Sequence, residues 1–323
     1  LVAGLVLWHY QVVESPEALV GQVATVVWLV LFTAACWGAG WPLWRALGGE
    51  RAPAAPEAWV VVLATGAWIL ALWATLLGLA GVLHTFLLVV PLLALAVVGA
   101  LLLRRSGPRP RLAWMGREPI PALFVIAAAV ITLLVLRAPS PHYDQLHYHL
   151  AFPFHWLRDG RLVVFDRHAY SLLPANMGAL YTYALALLGP WAAQAVHWWM
   201  GAVAVGGVYG LGRRLGGPRA GLWAAALLAT TSSVMATSVW AGSDLGVTAF
   251  AVAAWAVVVT ARRRPDSRSG WWVLAGALVG AAVGCKYQAG LTVAIPLFAV
   301  LLVLPGRRLV RATLTGIGSA AAF

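Results

Sequence analysis

AWVVVLATGAWILALWATLLGLAGVLHTFLLVVPLLALAVVGALLLRRSGPRPRLAWMGR, residues 58–117, decides the fold. Between Ala58 and Leu103 it holds no Asp, Glu, Lys or Arg, and five arginines then follow between Arg104 and Arg117. The apolar part divides near His84 into runs at 58–82 and 85–103, each close to the roughly 20 residues needed to cross a hydrocarbon core. In lipid a spanning segment must satisfy its own backbone N–H and C=O groups, so runs of this length read as helices.

The composition agrees along the whole chain. Of 323 residues 62% are hydrophobic and 10% charged, whereas soluble domains carry about 25% charged residues. So few charges cannot cover a water-facing surface, which excludes a soluble enzyme, a disordered chain and a disulfide scaffold. The 18 Trp suit two membrane–water interfaces. Cys36 and Cys285 sit in apolar runs and offer neither a disulfide framework nor a metal motif. The net charge of +12 invites a nucleic-acid reading, but the arginines cluster between apolar runs and follow the positive-inside rule instead; no nucleic-acid partner is expected. The sequence begins without Met and stops within an apolar run, so a fragment of a longer chain is expected.

The expected fold is all-α: a polytopic helical membrane protein of about 10–11 spans. They are placed at 1–13 (incomplete), 18–40, 58–82, 85–103, 121–137, 191–212, 220–240, 244–261, 271–285 and 289–305, with another starting near 309. Arginine-rich segments at 104–117, 213–219, 262–268 and 307–311 all fall on one side, taken as cytoplasmic. The stretch 177–189 (GALYTYALALLGP, from Gly178) is too short to cross roughly 30 Å, and reads as a juxtamembrane or re-entrant helix on the outer face. The organisation expected is a four-span module over 1–103, a basic linker over 104–120 and a membrane core over 121–323 with an outer loop at 138–190.

With only ten carboxylates, each can be placed. Glu14, Glu17, Glu50, Glu57, Glu118 and Asp266 are assigned to solvated loops, and Asp159 and Asp166 to surface pairing with Arg158, Arg161 and Arg167. Asp144, in PSPHYDQLHYHLAFP, follows a span on the outer face among aromatic neighbours, a setting that suits a general base. Asp244, in WAGSDLGVTAF, starts a span on that face; an N-cap role for Ser243 or Asp244 explains it equally. Lys286, in GCKYQAG, is the single lysine beside 21 arginines. It is either a snorkelling interfacial cation with Tyr287 beside it, or a partner for a phosphate at the membrane surface.

His142, His147, His149 and His155 crowd around Asp144. On a helix His147 and His149 point to different faces and no HExxH spacing occurs, so hydrogen bonding to substrate or to headgroups is preferred to metal ligation. No metal site is assigned, although a divalent cation is left open. His197 in AVHWWM is expected to face the bundle interior with its role open. Gly276, Gly280 and Gly284 form a small-residue packing stripe, and Gly206, Gly207, Gly210 and Gly212 lack the preceding strand of a nucleotide loop.

From Arg137 to about Val303 the chain resembles the GT-C superfamily of polyprenyl-phosphate-sugar-dependent membrane glycosyltransferases, and among them the family-39-like proteins of the protein mannosyltransferase and aminoarabinose transferase type. The resemblance is carried, in order, by YDQLHYHLAFPFHWLRDGRL (143–162), LLPANMGALYTYALALLG (172–189), YGLGRRLGGPRAGLWAAALLA (209–229), SDLGVTAFAVAAWAV (243–257) and LAGALVGAAVGCKYQAGL (274–291). It implies that Asp144 is the catalytic base, that Asp244 supports the site, and that Lys286 faces the lipid phosphate, with Arg158 or Arg161 assisting; on the residue reading His149 and Tyr287 join them as candidate substrate contacts. The family's Asp-Glu pair stands here as Asp144-Gln145.

The function so implied is inverting transfer of a hexose or pentose from a polyprenyl-phosphate donor to an acceptor hydroxyl or amine, on the extracytoplasmic face of a bacterial inner membrane. The partners are the lipid-linked sugar and the bilayer, with the acceptor and any membrane complex open. The competing readings are a non-catalytic GT-C-like scaffold or accessory subunit, and a lipid-sugar transporter, which the lack of charge inside the spans disfavours.

Overall fold

The computed structural model describes residues 16–49, 55–106, 118–166, 168–262 and 269–302. Over these residues the chain forms eleven α-helices and no strand. They are α1 (Pro16–Ala46), α2 (Pro56–Leu79), α3 (Thr85–Ser106), α4 (Pro119–Val135), α5 (Ala151–Asp159), α6 (Asn176–Leu187), α7 (Pro190–Thr230), α8 (Ser232–Ser238), α9 (Asp244–Arg262), α10 (Ser269–Val283) and α11 (Ile295–Leu302). Single π-helical turns, Gln145–His149 and Gly290–Ala294, precede α5 and α11. The protein is a multi-pass helical membrane protein. Leu19–Ala46 within α1, α2, α3 and α9 are each long and apolar enough to cross a bilayer, and α4, α10 and Gly290–Val300 are shorter apolar helices.

α7 needs closer reading, because its 41 residues would make one rod of about 60 Å. Gly217, at φ +86 just before Pro218, breaks it. A Cβ built on Gly212 would lie 2.9 Å from the Gly221 Cα, whereas in a straight helix residues nine apart are separated by about 13 Å. The chain therefore reverses at Gly217 and α7 is a tight helical hairpin whose limbs meet through glycine. This matches the separate spans expected at 191–212 and 220–240, with the arginine segment 213–219 as the turn. The second limb continues into α8 after a 63° bend at Thr231.

Two ends of the bundle can be told apart. At one, Arg213 and Arg214 reach Glu57 at the start of α2, Arg219 lies 3.5 Å from Glu118 before α4, and Trp44 packs edge-on against Trp271. The described arginines of the segments 104–117, 213–219 and 262–268 fall at this basic end, and the segment 307–311 lies outside the described residues. Glu57 was expected to be solvated, yet it is 1% exposed. Its two arginine partners explain the burial, since a carboxylate leaves water only when paired. At the opposite end the Leu83 N–H donates to Gly160 O, the Leu162 N–H to Gly78 O, and Arg137 lies over the Trp191 ring while donating to Gly21 O. The expected spans at 1–13 and near 309 lie outside the described residues, as do Glu14, Glu50, Asp266 and Arg167.

α6 has 12 residues, or about 18 Å of rise, and does not cross. It lies as a buried juxtamembrane helix, with the Tyr183 hydroxyl donating to Leu70 O of α2 at 2.9 Å. Its length agrees with the short helix that the sequence marks as not crossing. Tryptophan departs from the interface-belt expectation. Trp28, Trp37, Trp44, Trp199 and Trp271 are buried, and two ring N–H groups reach across helices, Trp28 to Ala192 O and Trp199 to Thr33 Oγ1. Such rings fasten helices together rather than face lipid.

Without a hydrophobic drive between helices in lipid, close backbone contact does much of the packing. α1 meets α2 and α3 at glycine: a Cβ on Gly66 would sit 1.8 Å from Cys36 O, and one on Gly99 1.8 Å from Ala34 O. Any side chain at Gly66 must push two helix backbones apart. Gly66→Leu should cost about 3 kcal/mol or more, read as a fall in the thermal unfolding midpoint in detergent. An unchanged midpoint would contradict this packing.

Candidate functional site

The site lies at the end opposite the arginine-rich segments, where the loop after α4, the turn before α9 and the turn after α10 converge. Asp144 has helical backbone angles and opens the π turn. That turn is closed by Leu150 N–H donating five residues back to Gln145 O at 3.0 Å, and such widened turns recur at functional sites. Asp144 is half-buried. The Tyr148 hydroxyl lies near it one turn on. Burial first, and then the Asp144 carboxylate, raise the Tyr148 pKa well above its ordinary value, so Tyr148 keeps its proton beside the carboxylate.

Gln145, 3% exposed, turns inward, and its Oε1 accepts the Ala241 N–H at 2.7 Å. This bond ties the Asp144 loop to the turn that leads into α9. Ala241 is fully buried, so its N–H has no water to fall back on. Gln145→Leu should cost about 1–3 kcal/mol through that orphaned donor, measured by thermal unfolding; a loss below about 0.5 kcal/mol would mean the bond is dispensable.

Asp244, the first residue of α9, and Lys286, in the turn after α10, form an ion pair at 2.6 Å. Both side chains are a little over two-fifths exposed, so the pair stands at the mouth of the site. The capping role weighed for Ser243 or Asp244 is met differently: the Leu245 N–H goes to His197 Nε2 at 3.1 Å. The Lys286 turn is held by Asn176 of α6, whose N–H donates to Gly284 O and whose Nδ2 donates to Ala281 O. Gly284 is required there, because a Cβ would lie 2.3 Å from Asn176 Nδ2. The Tyr181 hydroxyl, also from α6, donates to Gly242 O on the other wall. α6 thus braces both halves of the ion pair.

His149 lies between the two halves, sensing Asp144, Asp244, Lys286 and His197. Burial first, and then His197, lower its pKa to about 4. At neutral pH it is an uncharged imidazole, a hydrogen-bonding group rather than a cation. His147, two residues earlier, is exposed and stacks on Tyr143 and His168 instead. The two histidines do face different ways, as their spacing implies. His142 stacks on Trp240 at 3.7 Å and forms the outer rim.

The structure therefore brings Asp144, His149, Asp244 and Lys286 to one place. Tyr287 stands beside it with its ring exposed and its hydroxyl donating to Leu172 O. Arg158 and Arg161 are set apart: both are exposed, and Arg158 pairs with Asp159 at 2.7 Å at the end of α5. No described contact links either arginine to Lys286. Among the described residues no group of three or more His, Cys, Asp or Glu side chains is placed to hold a metal ion. Gln145, Tyr148, Asn176 and Trp240 were not singled out in the sequence. The i, i+4 spacing of Asp144 and Tyr148 was the one local signal for any of them.

Taken together, a multi-pass helical bundle carries a half-buried carboxylate, a neutral imidazole and an ion pair at one end. Residues 177–323, a little under half of the chain, match the family model described as dolichyl-phosphate-mannose-protein mannosyltransferase, which supports a relationship to GT-C-type glycosyltransferases. The matched region takes in α6, His197, Asp244, Lys286 and Tyr287, while Asp144 and Gln145 precede it. Neither a curated protein nor a solved structure shows a significant match to the chain.

Proposed function

We propose that this chain transfers a sugar, with inversion, from a polyprenyl-phosphate donor to an acceptor hydroxyl or amine, at the extracytoplasmic face of a bacterial inner membrane. The observation that carries the reading is the convergence of Asp144 with the exposed Lys286–Asp244 pair at the membrane end opposite the arginine-rich segments. Lys286 contacts the donor phosphate and stabilises the charge that develops as the phosphate leaves. Asp144, beside Tyr148, takes the proton of the attacking acceptor group. Neutral His149 hydrogen-bonds the sugar or the acceptor. Arg158 and Arg161, being apart from the pair, interact with headgroups at the rim.

Support for a lipid-borne donor comes from a half-open cavity of about 260 Å³ between α4, α7 and α8. Its walls include Val125, Ala128, Thr132, Trp198, Gly201 and Ser238. Small residues facing each other leave this gap open beside the 63° bend. Ser238 in its wall is two positions before Trp240. Such a largely apolar cavity suits the first isoprene units of a polyprenyl chain.

The test is to incubate the purified protein in lipid with a panel of polyprenyl-phosphate-linked hexoses and pentoses, and to follow free polyprenyl phosphate by mass spectrometry. Release from one donor, dependent on Asp144, supports transfer. No release from any donor, with folded protein, favours the scaffold reading.

A further inference from the structure

His197 touches neither Asp144 nor Lys286, yet it joins the elements that carry them. Its ring, on the first limb of α7, is fully buried. Nδ1 lies 3.0 Å from Thr237 O and 2.8 Å from Trp240 O, and Nε2 lies 3.1 Å from the Leu245 N. An amide N–H can only donate, so Nε2 is the bare nitrogen; two carbonyls face Nδ1, so Nδ1 carries the proton. One neutral imidazole thereby spans the gap from the end of α8 to the first turn of α9. Asp244 is the residue immediately before Leu245. On the far side of the same turn, Gln145 holds Ala241.

We infer that His197 is a positioning residue for phosphate binding: by fastening the turn Trp240–Leu245 it aims the Asp244 carboxylate, which in turn holds the Lys286 ammonium at the site mouth. This rests on the reading of Lys286 as the phosphate-binding cation. A lysine side chain loses much rotamer freedom when it is fixed in one place. The Asp244 bond meets that cost before the ligand arrives, so disturbing the turn weakens a ligand that His197 never contacts. A purely structural His197 would instead lower the unfolding midpoint and leave affinity alone.

The experiment titrates the detergent-purified protein with farnesyl phosphate, a short polyprenyl phosphate, and with farnesol as the phosphate-free control, below the unfolding midpoint of each variant. Wild type should bind farnesyl phosphate more tightly than farnesol, and Lys286→Ala should lose that preference. His197→Leu should weaken farnesyl phosphate by about tenfold, the loss of one or two buried hydrogen bonds expressed in affinity, with farnesol unchanged. His197→Gln, whose amide offers one donor and one acceptor, should return to within about threefold of wild type. If His197→Leu does not accumulate, His197→Asn takes its place with the same expected loss, because its shorter amide cannot reach both Trp240 O and Leu245 N. Wild-type affinity in the Leu or Asn variant, or a Gln variant no better than these, overturns the inference while leaving the Lys286 reading intact. Equal binding by wild type and Lys286→Ala overturns that reading, and the inference with it.

Discussion

Replacing Asp144 by Asn should cut sugar transfer by about 100- to 10,000-fold, the range a positioned general base supplies, while the protein stays folded. Asn keeps the shape and an acceptor oxygen beside the Tyr148 hydroxyl but cannot take up a proton. The residue is half-buried and bears no interhelical ion pair, so the unfolding midpoint should move little. The measurement is turnover of the active donor side by side with thermal unfolding. Transfer retained within about tenfold would remove Asp144 as the base. Lost transfer together with a large fall in midpoint would point to a structural role.

The second large effect is expected at Lys286. Lys286→Ala should weaken the donor about 10- to 100-fold, since a hydrogen bond to a charged group is worth about 1.5–3 kcal/mol. Lys286→Arg keeps the charge but swaps a compact ammonium for a planar fork, and should fall between. Because the Lys286–Asp244 pair is substantially exposed, its loss should cost stability only about 0–1 kcal/mol. The split matters: affinity falls while the midpoint holds. Should both substitutions leave donor affinity untouched, the phosphate binds elsewhere.

Much of the architecture was legible because the bilayer imposes it. Apolar run length set the helices, the arginine segments set the two ends, and the segment 213–219 separated the two limbs of α7. The shortness of 177–189 likewise identified α6 as a helix that does not cross. What the sequence hid were relations between distant side chains. Glu57 read as a loop carboxylate because its partners, Arg213 and Arg214, stand more than 150 positions away. Several tryptophans assigned to the lipid interface turn inward, since hydropathy reports depth and not direction.

The site was legible to the same degree. Asp144, Asp244 and Lys286 stood out as ionisable residues at one face of a chain with few charges, and His149 stood out by its proximity to Asp144. Arg158 and Arg161 looked equally near in sequence but flank the turn at Gly160, with Arg158 committed to Asp159. Gln145, Asn176 and His197 act through backbone groups of other segments. An amide or imidazole bonded to a carbonyl 40 or 100 residues away leaves no local pattern to read.

The most direct test of the central claim is native mass spectrometry of the protein purified from membranes, alongside Lys286→Ala. The account predicts a bound polyprenyl phosphate, or its sugar adduct, in wild type and its loss in the variant, with the adduct mass giving the sugar. Wild-type protein that carries only bulk phospholipid, or an adduct that survives Lys286→Ala, would contradict it.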